Sequence, residues 1–469
     1  MRKLIIARGA PGSGKSTLTD ALGLANHRLS ADQFRTALAG TMLNSDGEWR
    51  IDQSVSKRAW ELTMEAFELR IGRGETIALE GKFTAVGEMT AFIERAHQRG
   101  YQIMIVDLWA VGVTELIINN DRRPTSQRTR PESYAAEREK ALMVNMPAWI
   151  EEQHPGKSIE YTPVERRDDA IPAARRFLEQ GTEPIELGHF KKVVHIGDLQ
   201  GVAQALHGHA ITADGTVIES PVPPRLDDAV AYIFVGDALD RGIENGKLMR
   251  WLIDEVTPRL GRNVWWIRGN HELHLERWIN GEEPISREFA ARTLPDLEAH
   301  CITPEMVKPF VEQMLEVMVY YWHSEKVIVT HGGLPKAVED LHLVASDQLM
   351  KGTGHHSDMV DAAFNAWAQD PANQTWSHYG QTSWTQVHGH RNAQEIAIDA
   401  YPRSYNLEGK PDAGGAIRIV VLDEKGWIPA NLYNRIFMHP TERAAIDKSE
   451  GRQHYSPPLP MPAWLDQPA

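Results

Sequence analysis

At 469 residues the chain is too long for one small module and fits two or three domains of about 150 residues each. A composition of 42% hydrophobic and 24% charged residues excludes a disordered polymer, and a net charge of −14 argues against a protein that coats long nucleic acid through a general basic footprint. The lone cysteine, Cys301, excludes an intrachain disulfide and a thiolate metal cluster; the cytoplasm is the expected location.

The start of the chain pairs basic residues with an apolar run of about four residues, short of the ~7–15 that a secretory signal needs. No stretch approaches ~18 apolar residues, so no membrane partner is expected. Strands are predicted over Lys3–Ala7, Thr76–Glu80 and Gln102–Leu108, and helices over Lys15–Leu24, Val55–Gly72 and Val86–Arg99. This is the rhythm of a parallel α/β sheet.

Between the first strand and the first helix stands Gly9-Ala10-Pro11-Gly12-Ser13-Gly14-Lys15-Ser16-Thr17, which fills the pattern G-x-x-x-x-G-K-[ST]. Its glycines let the backbone wrap a polyphosphate with the amides pointing inward; Lys15 can reach the β/γ oxygens and Ser16 can hold Mg²⁺. ATP or another nucleoside triphosphate is therefore expected, bound by Gly9, Gly12, Ser13, Gly14, Lys15, Ser16 and Thr17. In Ser30-Ala31-Asp32-Gln33-Phe34-Arg35 a carboxylate and a guanidinium lie one helical turn apart. Asp32 could accept the proton of an acceptor hydroxyl while Arg35 holds a phosphate; alternatively, Asp32 is only a helix cap. Residues Asp121 to Glu132 set four arginines against two acids without apolar periodicity, which reads as a lid over a transferring phosphoryl group or as a solvated loop.

The phosphate loop, D-x-x-R and arginine-rich segment, in this order, resemble the 5′-kinase domain of polynucleotide kinases, within the adenylate-kinase-like group. The resemblance covers roughly residues 1–170. It implies that Lys15 and Ser16 belong to the ATP site, Asp32 is the general base, Arg35 contacts the acceptor end and Arg123 is the lid arginine. Where those kinases often read Asp-x-Thr-Asn after a strand, this chain has Leu79-Glu80-Gly81-Lys82-Phe83-Thr84.

Two glycines and a proline in Gln180–Gly188 mark a linker, so the first domain is placed at 1–178, the linker at 179–190 and the second domain at 191–435. Residues 1–190 hold 25 basic and 27 acidic side chains, leaving 25 and 37 beyond. Past the linker, polar residues follow predicted strands in Gly197-Asp198-Leu199-Gln200-Gly201, Gly236-Asp237-Ala238-Leu239-Asp240-Arg241-Gly242, Gly269-Asn270-His271-Glu272, Thr330-His331-Gly332-Gly333 and His388-Gly389-His390. Strands of an open α/β sheet would converge these groups on one crevice. Such an oxygen and nitrogen set suits Mn²⁺, Fe, Ni²⁺ or Zn²⁺, and two such ions can activate water against a phosphoryl group.

This series resembles the calcineurin-like metallophosphoesterases over about residues 191–422. It implies an α/β-sandwich domain with Asp198, Gln200, Asp237, Asn270, His331 and His390 as metal ligands and Asp237 as the bridge, His388 being the alternative to His390. Arg241 and His271 would grip the phosphate and protonate the leaving group, and Asp240 would orient His271. Gln200 stands where histidine is usual, and similar D-x-Q forms occur among diadenosine-tetraphosphatase relatives. Glu408, in Asn406-Leu407-Glu408-Gly409 with Gly414-Gly415, replaces an aspartate. Together the halves resemble bacterial and phage polynucleotide kinase-phosphatases, which implies healing of RNA or DNA ends, RNA foremost. No K-x-D-G ligase motif is present, and the Pro-rich residues 436–469 read as a tail, so a separate RNA ligase is the expected partner. A small-molecule kinase fused to a dinucleoside-polyphosphate hydrolase, and a nucleotide-sensing protein phosphatase, are the alternatives. Of 14 tryptophans, most are expected in cores; Trp49, Trp278 and Trp384 are candidates to stack on a base, and Trp265 and Trp266, adjacent on one strand, are not both expected to face inward.

Overall fold

The computed structural model describes residues 2–433 except 130, 131, 357, 358, 378, 379, 394 and 414. The predicted tail, Arg130 and Gly414 lie outside them. Contacts divide the chain into residues 1–183 with 340–346, and 184–339 with 347–469; the first break falls within the stretch read as a linker.

In the first unit five parallel strands lie in the order Arg28–Ser30, Ile77–Gly81, Lys3–Arg8, Gln102–Asp107, Ile159–Pro163. All six residues of Lys3–Arg8 are buried because helices cover both sheet faces, which is why the strand reads as an apolar run rather than an alternation. The helices Lys15–Ala21, Ser56–Arg73 and Thr90–Gln98 fall where periodicity predicts them; Gly74 in the left-handed region closes the second. Two short strands, Thr41–Leu43 and Trp49–Ile51, form a hairpin after the helix Ala31–Ala39. The segment 340–346 contributes Leu343 to this unit's core, and Ser346 N donates to Gly74 O at 3.1 Å.

The second unit is a sandwich of two mixed sheets. One runs Val217–Glu219, His209–Thr212, Gly426–Tyr433, Ala416–Asp423, Lys192–Ile196, Val230–Phe234, Val264–Trp266; the other runs Ser404–Asn406, Trp384–His388, Glu325–Thr330, Val317–Trp322, Ile185–Glu186. Val193, Ile233, Trp265, Met318, Val329 and Val420 fill the space between them. A second core, with Trp266, lies on the outer face of the longer sheet under helices. Trp265 and Trp266 are therefore both buried, on opposite faces of one strand, contrary to expectation; a strand covered on both sides has no outward face.

Candidate active sites

The loop after strand Lys3–Arg8 wraps closely enough that side chains would not fit. A Cβ at Gly12, whose φ is +84°, would lie 2.6 Å from Leu116 O, and one at Gly14 (φ +90°) 2.8 Å from the Arg167 side chain. Lys15 Nζ donates to Gly9 O at 2.8 Å and Ala10 O at 2.9 Å, so it spans the cradle a polyphosphate would fill. Ser13 is buried within the loop, and Ser16 and Thr17 open the helix. Burial pushes the Lys15 ammonium down to about 8; Glu80 opposes this most, Arg123 adds to it, Asp32 opposes it and Lys82 adds to it. One electrostatic neighbourhood thus contains Lys15, Asp32, Arg123 and the two residues Glu80 and Lys82.

Glu80 is the residue the motifs miss. It lies in the strand Ile77–Gly81 beside the loop strand, accepts from Ser16 Oγ at 2.7 Å through Oε2 and from Thr19 Oγ1 at 2.7 Å through Oε1, and lies 3.6 Å from Arg28. Its one sequence signal is an acid directly after the apolar run Ile77-Ala78-Leu79. It orients the hydroxyl that suits Mg²⁺, so this donor set fits a nucleotide with its metal.

Ser30, not Asp32, caps the helix Ala31–Ala39. Ser30 Oγ accepts from Gln33 N while Gln33 Oε1 accepts from Ser30 N, a complete capping box. Asp32 is left more than half exposed, with Arg35 Nη1 donating to it at 2.5 Å; Arg35 Nε is held by Ser56 Oγ at 3.0 Å. The arginine-rich segment is tethered rather than loose. Arg128 donates to the Arg123 and Asp121 carbonyls, Asn120 bonds both ways with the Thr129 backbone, and Arg50 on the hairpin donates to Arg128 O. Arg128 is thus spent on its own loop, while Arg123 is the member whose charge acts on Lys15.

In the second unit Asp198, Asp237 and Asn270 follow three parallel strands of one sheet, and His331, His390 and Glu408 follow three parallel strands of the other. Among the described residues, five of the ten non-glycine residues with positive φ stand here: Gln200, Asp237, Asp240, Arg241 and His390. Held left-handed backbone of this kind concentrates at functional sites because surrounding contacts must enforce it. Asp237 Oδ1 lies 3.2 Å from His331 Nε2, and Asn270 Oδ1 lies 3.3 Å from the same nitrogen. Single donor atoms of Asp237, His331 and His390 fall within 4.8 Å of one another, a metal-sized group. His331 Nδ1 is fixed 2.6 Å from Val235 O, and His390 N donates to Asp198 Oδ2 at 3.0 Å. Asp198 Oδ1 is buried and receives no hydrogen bond, an orphaned acceptor that a cation would satisfy. The donors fit divalent metals.

The electrostatics agree with that fit. Burial, Glu408 and Asp237 hold the Asp198 carboxyl well above the usual range, whereas His331 and His271 outweigh burial at Asp237 and hold it well below. Burial and His331 push His390 down to about 3. His388 is excluded as a ligand: Nε2 lies 2.9 Å from Asp361 Oδ1 and Nδ1 3.0 Å from Gly389 O. Asp361 also accepts from Ser404 Oγ and Asn406 Nδ2, clamping the two strands that deliver His390 and Glu408.

His271 Nδ1 lies 2.7 Å from Asp240 Oδ2, and Thr293 Oγ1 donates to the other Asp240 oxygen. Burial disfavours the charged imidazole, but Asp237 and the Asp240 hydrogen bond raise it to about 9, so it holds a proton to give. Glu272 accepts from the backbone amides of Asp237, Ala238 and Gly269, fixing the loop that carries Asp237. The Gln200 amide oxygen accepts from Arg241 Nη1 at 3.1 Å while its nitrogen donates to Asp412 Oδ1. Gln200 therefore lies in the site as a link between Arg241 and Asp412, which weakens the expectation that it is a metal ligand. Trp384 carries Lys326 over its ring and Trp278 packs on the core, whereas Trp49, the third stacking candidate, is 56% exposed.

Residues 4–142 match the family described as AAA domain, and residues 191–414 match the family of calcineurin-like phosphoesterases. The chain is an α/β protein with an N-terminal P-loop kinase-like domain followed by a metallophosphoesterase domain. No curated protein sequence matches it. Solved structures similar to it include one assigned as a diadenosine tetraphosphatase, at 17% identity and TM-score 0.30, covering 54% of this chain and 99% of that one. Another, assigned as a kinase from Chloroflexus aurantiacus, has 18% identity and TM-score 0.28 over 39% of this chain and 99% of that one. A metallophosphoesterase from Sphaerobacter thermophilus has 13% identity and TM-score 0.29 over 56% and 95%. Among the described residues no helix is long and apolar enough to cross a membrane.

Proposed function

We propose that the chain heals broken nucleic-acid ends, RNA foremost: its first domain phosphorylates a 5′-hydroxyl at the expense of ATP, and its second removes a 3′-phosphate or opens a 2′,3′-cyclic phosphate. The observation that carries this reading is that one chain joins a P-loop kinase-like domain, whose chemistry adds phosphate, to a metallophosphoesterase domain, whose chemistry removes it. On a single small substrate the two would cancel, whereas a cleaved strand presents both defects at once.

In the kinase domain Asp32, relieved of capping by Ser30, takes the proton of the attacking 5′-hydroxyl. Arg35 holds the acceptor end, Lys15 and the loop amides hold the transferring phosphate, and Arg123 offsets its charge. Mg²⁺ would sit at Ser16 with Glu80 behind it. In the phosphoesterase domain Asp198, Asp237, Asn270, His331 and His390 would hold two divalent ions, Mn²⁺ foremost, with Ni²⁺, Fe or Zn²⁺ as alternatives. Such ions polarise the phosphoryl group and activate water. Arg241 grips the phosphate, and His271, kept protonated by Asp240, donates to the leaving oxygen. A separate ligase seals the ends.

The test supplies Mg²⁺-ATP with a 5′-hydroxyl oligonucleotide and, separately, Mn²⁺ with a 3′-phosphate oligonucleotide. Lys15→Ala should abolish the first reaction alone and Asp237→Ala the second alone. Neither wild-type reaction, together with cleavage of diadenosine tetraphosphate, would sink the healing reading.

A further inference from the structure

The phosphoryl chemistry assigned above leaves Glu408 without a task. Its side chain is buried, with 3% of the residue exposed, two residues after the strand Ser404–Asn406 that runs parallel to the strand delivering His390. Its backbone is pinned, Glu408 N donating to Asn406 Oδ1 at 3.1 Å, and Oε1 is occupied by Lys410 N at 2.7 Å. Oε2 points the other way, 3.4 Å from the Gln200 amide. The carboxyl lies within hydrogen-bond reach of the Asp198 carboxyl, and Asp198 Oδ1 receives no hydrogen bond. Two buried carboxylates in contact repel strongly unless a proton or a cation lies between them. Arg241, the nearby guanidinium, donates through Nη1 to Gln200.

We propose that Glu408 is itself a metal ligand, its Oε2 completing the coordination of the ion held by Asp198 in place of the Gln200 amide, which Arg241 and Asp412 draw away. The proposal rests on the phosphoesterase reading. Asp198, Asp237 and Glu408 then give that position three carboxylates beside the His390 imidazole, a donor set that favours hard ions such as Mn²⁺ over Zn²⁺ or Ni²⁺. It also explains the clamp at Asp361, which fixes Glu408 and His390 through one side chain.

The test titrates Mn²⁺ into full-length wild type, Glu408→Gln and Glu408→Asp by calorimetry, alongside the Mn²⁺-induced rise in the second domain's melting temperature. Wild type should bind two ions. Both variants should keep one, with affinity for the other lowered by about 10–100-fold or more. Glu408→Asp is the discriminating variant, because it keeps the charge and withdraws the oxygen; a role through charge alone would leave its Mn²⁺ binding unchanged. Without metal, Glu408→Gln should melt no lower than wild type, since it relieves a buried repulsion. Two ions bound at wild-type affinity in Glu408→Asp would overturn the assignment of Glu408 while leaving the phosphoesterase reading intact. A wild type that binds no pair of Mn²⁺ ions would instead overturn that reading and this assignment with it.

Discussion

Replacing Glu80 by glutamine keeps the side chain's size and removes the charge to which Ser16 and Thr19 donate. Kinase turnover should fall by about 10–100-fold, the usual cost of losing a group that orients a metal-facing ligand, with hydrolysis of a phosphomonoester by the second domain unchanged. Asp240→Asn should act in the mirror sense. His271 loses the carboxylate that holds its ring and its proton, so kcat for phosphate release should drop by about 10²-fold or more with KM little altered. The alkaline limb of the pH profile should also move to lower pH, since Asp240 helps raise the imidazole. Glu80 lies within a strand and Asp240 follows one, yet only Asp240 is legible in the sequence. Its motif is local in sequence, whereas Glu80 reaches Ser16 across 64 residues, and Thr293 reaches Asp240 across 53. Spacing arguments see neighbours along the chain, and these two contacts are made by the fold. The same limit applies to Gln200: its position beside Asp198 is local, but the pull of Asp412 comes from 212 residues downstream.

At the scale of elements, the apolar strands and amphipathic helices of the first unit were readable to within a few residues because burial sets their periods. What escaped were the hairpin Thr41–Ile51 and the antiparallel pairs Val317–Thr330 and Ala416–Tyr433, where pairing depends on the partner strand rather than on either segment alone. Strand Lys192–Ile196 carries a buried His195, with Nε2 2.8 Å from Tyr320 OH and Nδ1 3.1 Å from Val420 O, stacked on Tyr320 and Trp427. Burial pushes it down to about 4 from its ordinary 6.5, so the folded strand keeps it neutral. Between those values an unfolded chain binds a proton that the folded one refuses. Stability is therefore full above pH 6.5 and falls as pH drops toward 4, by up to about 3 kcal/mol. Melting curves of wild type and His195→Gln at pH 7 and pH 5 should show this component of the slope in the first and not in the second.

Across the whole molecule the charge is divided unevenly. The first 190 residues carry a net −2, from 25 basic and 27 acidic side chains, and the remaining residues carry −12, from 25 and 37. Asp198, Asp237 and Glu408 account for part of that excess and would be offset by bound cations, so the acidic total opposes long nonspecific contact with a phosphate backbone more than recognition of one strand end. The chain also passes between its two units three times, since residues 340–346 belong to the first unit although they lie deep in the sequence of the second. Leu341 and His342 of this segment are buried, and Thr76 Oγ1 donates to His342 O just before the strand Ile77–Gly81 that carries Glu80. The two domains are thus not separable by one cut. A fragment of residues 1–183 would lack part of its own core, and should melt several degrees below the first transition of the intact chain; adding back a peptide of residues 336–350 should recover part of the loss. For the gene, this means that a simple end-to-end fusion cannot be reversed by a single break, and that a shuffled kinase domain would arrive incomplete.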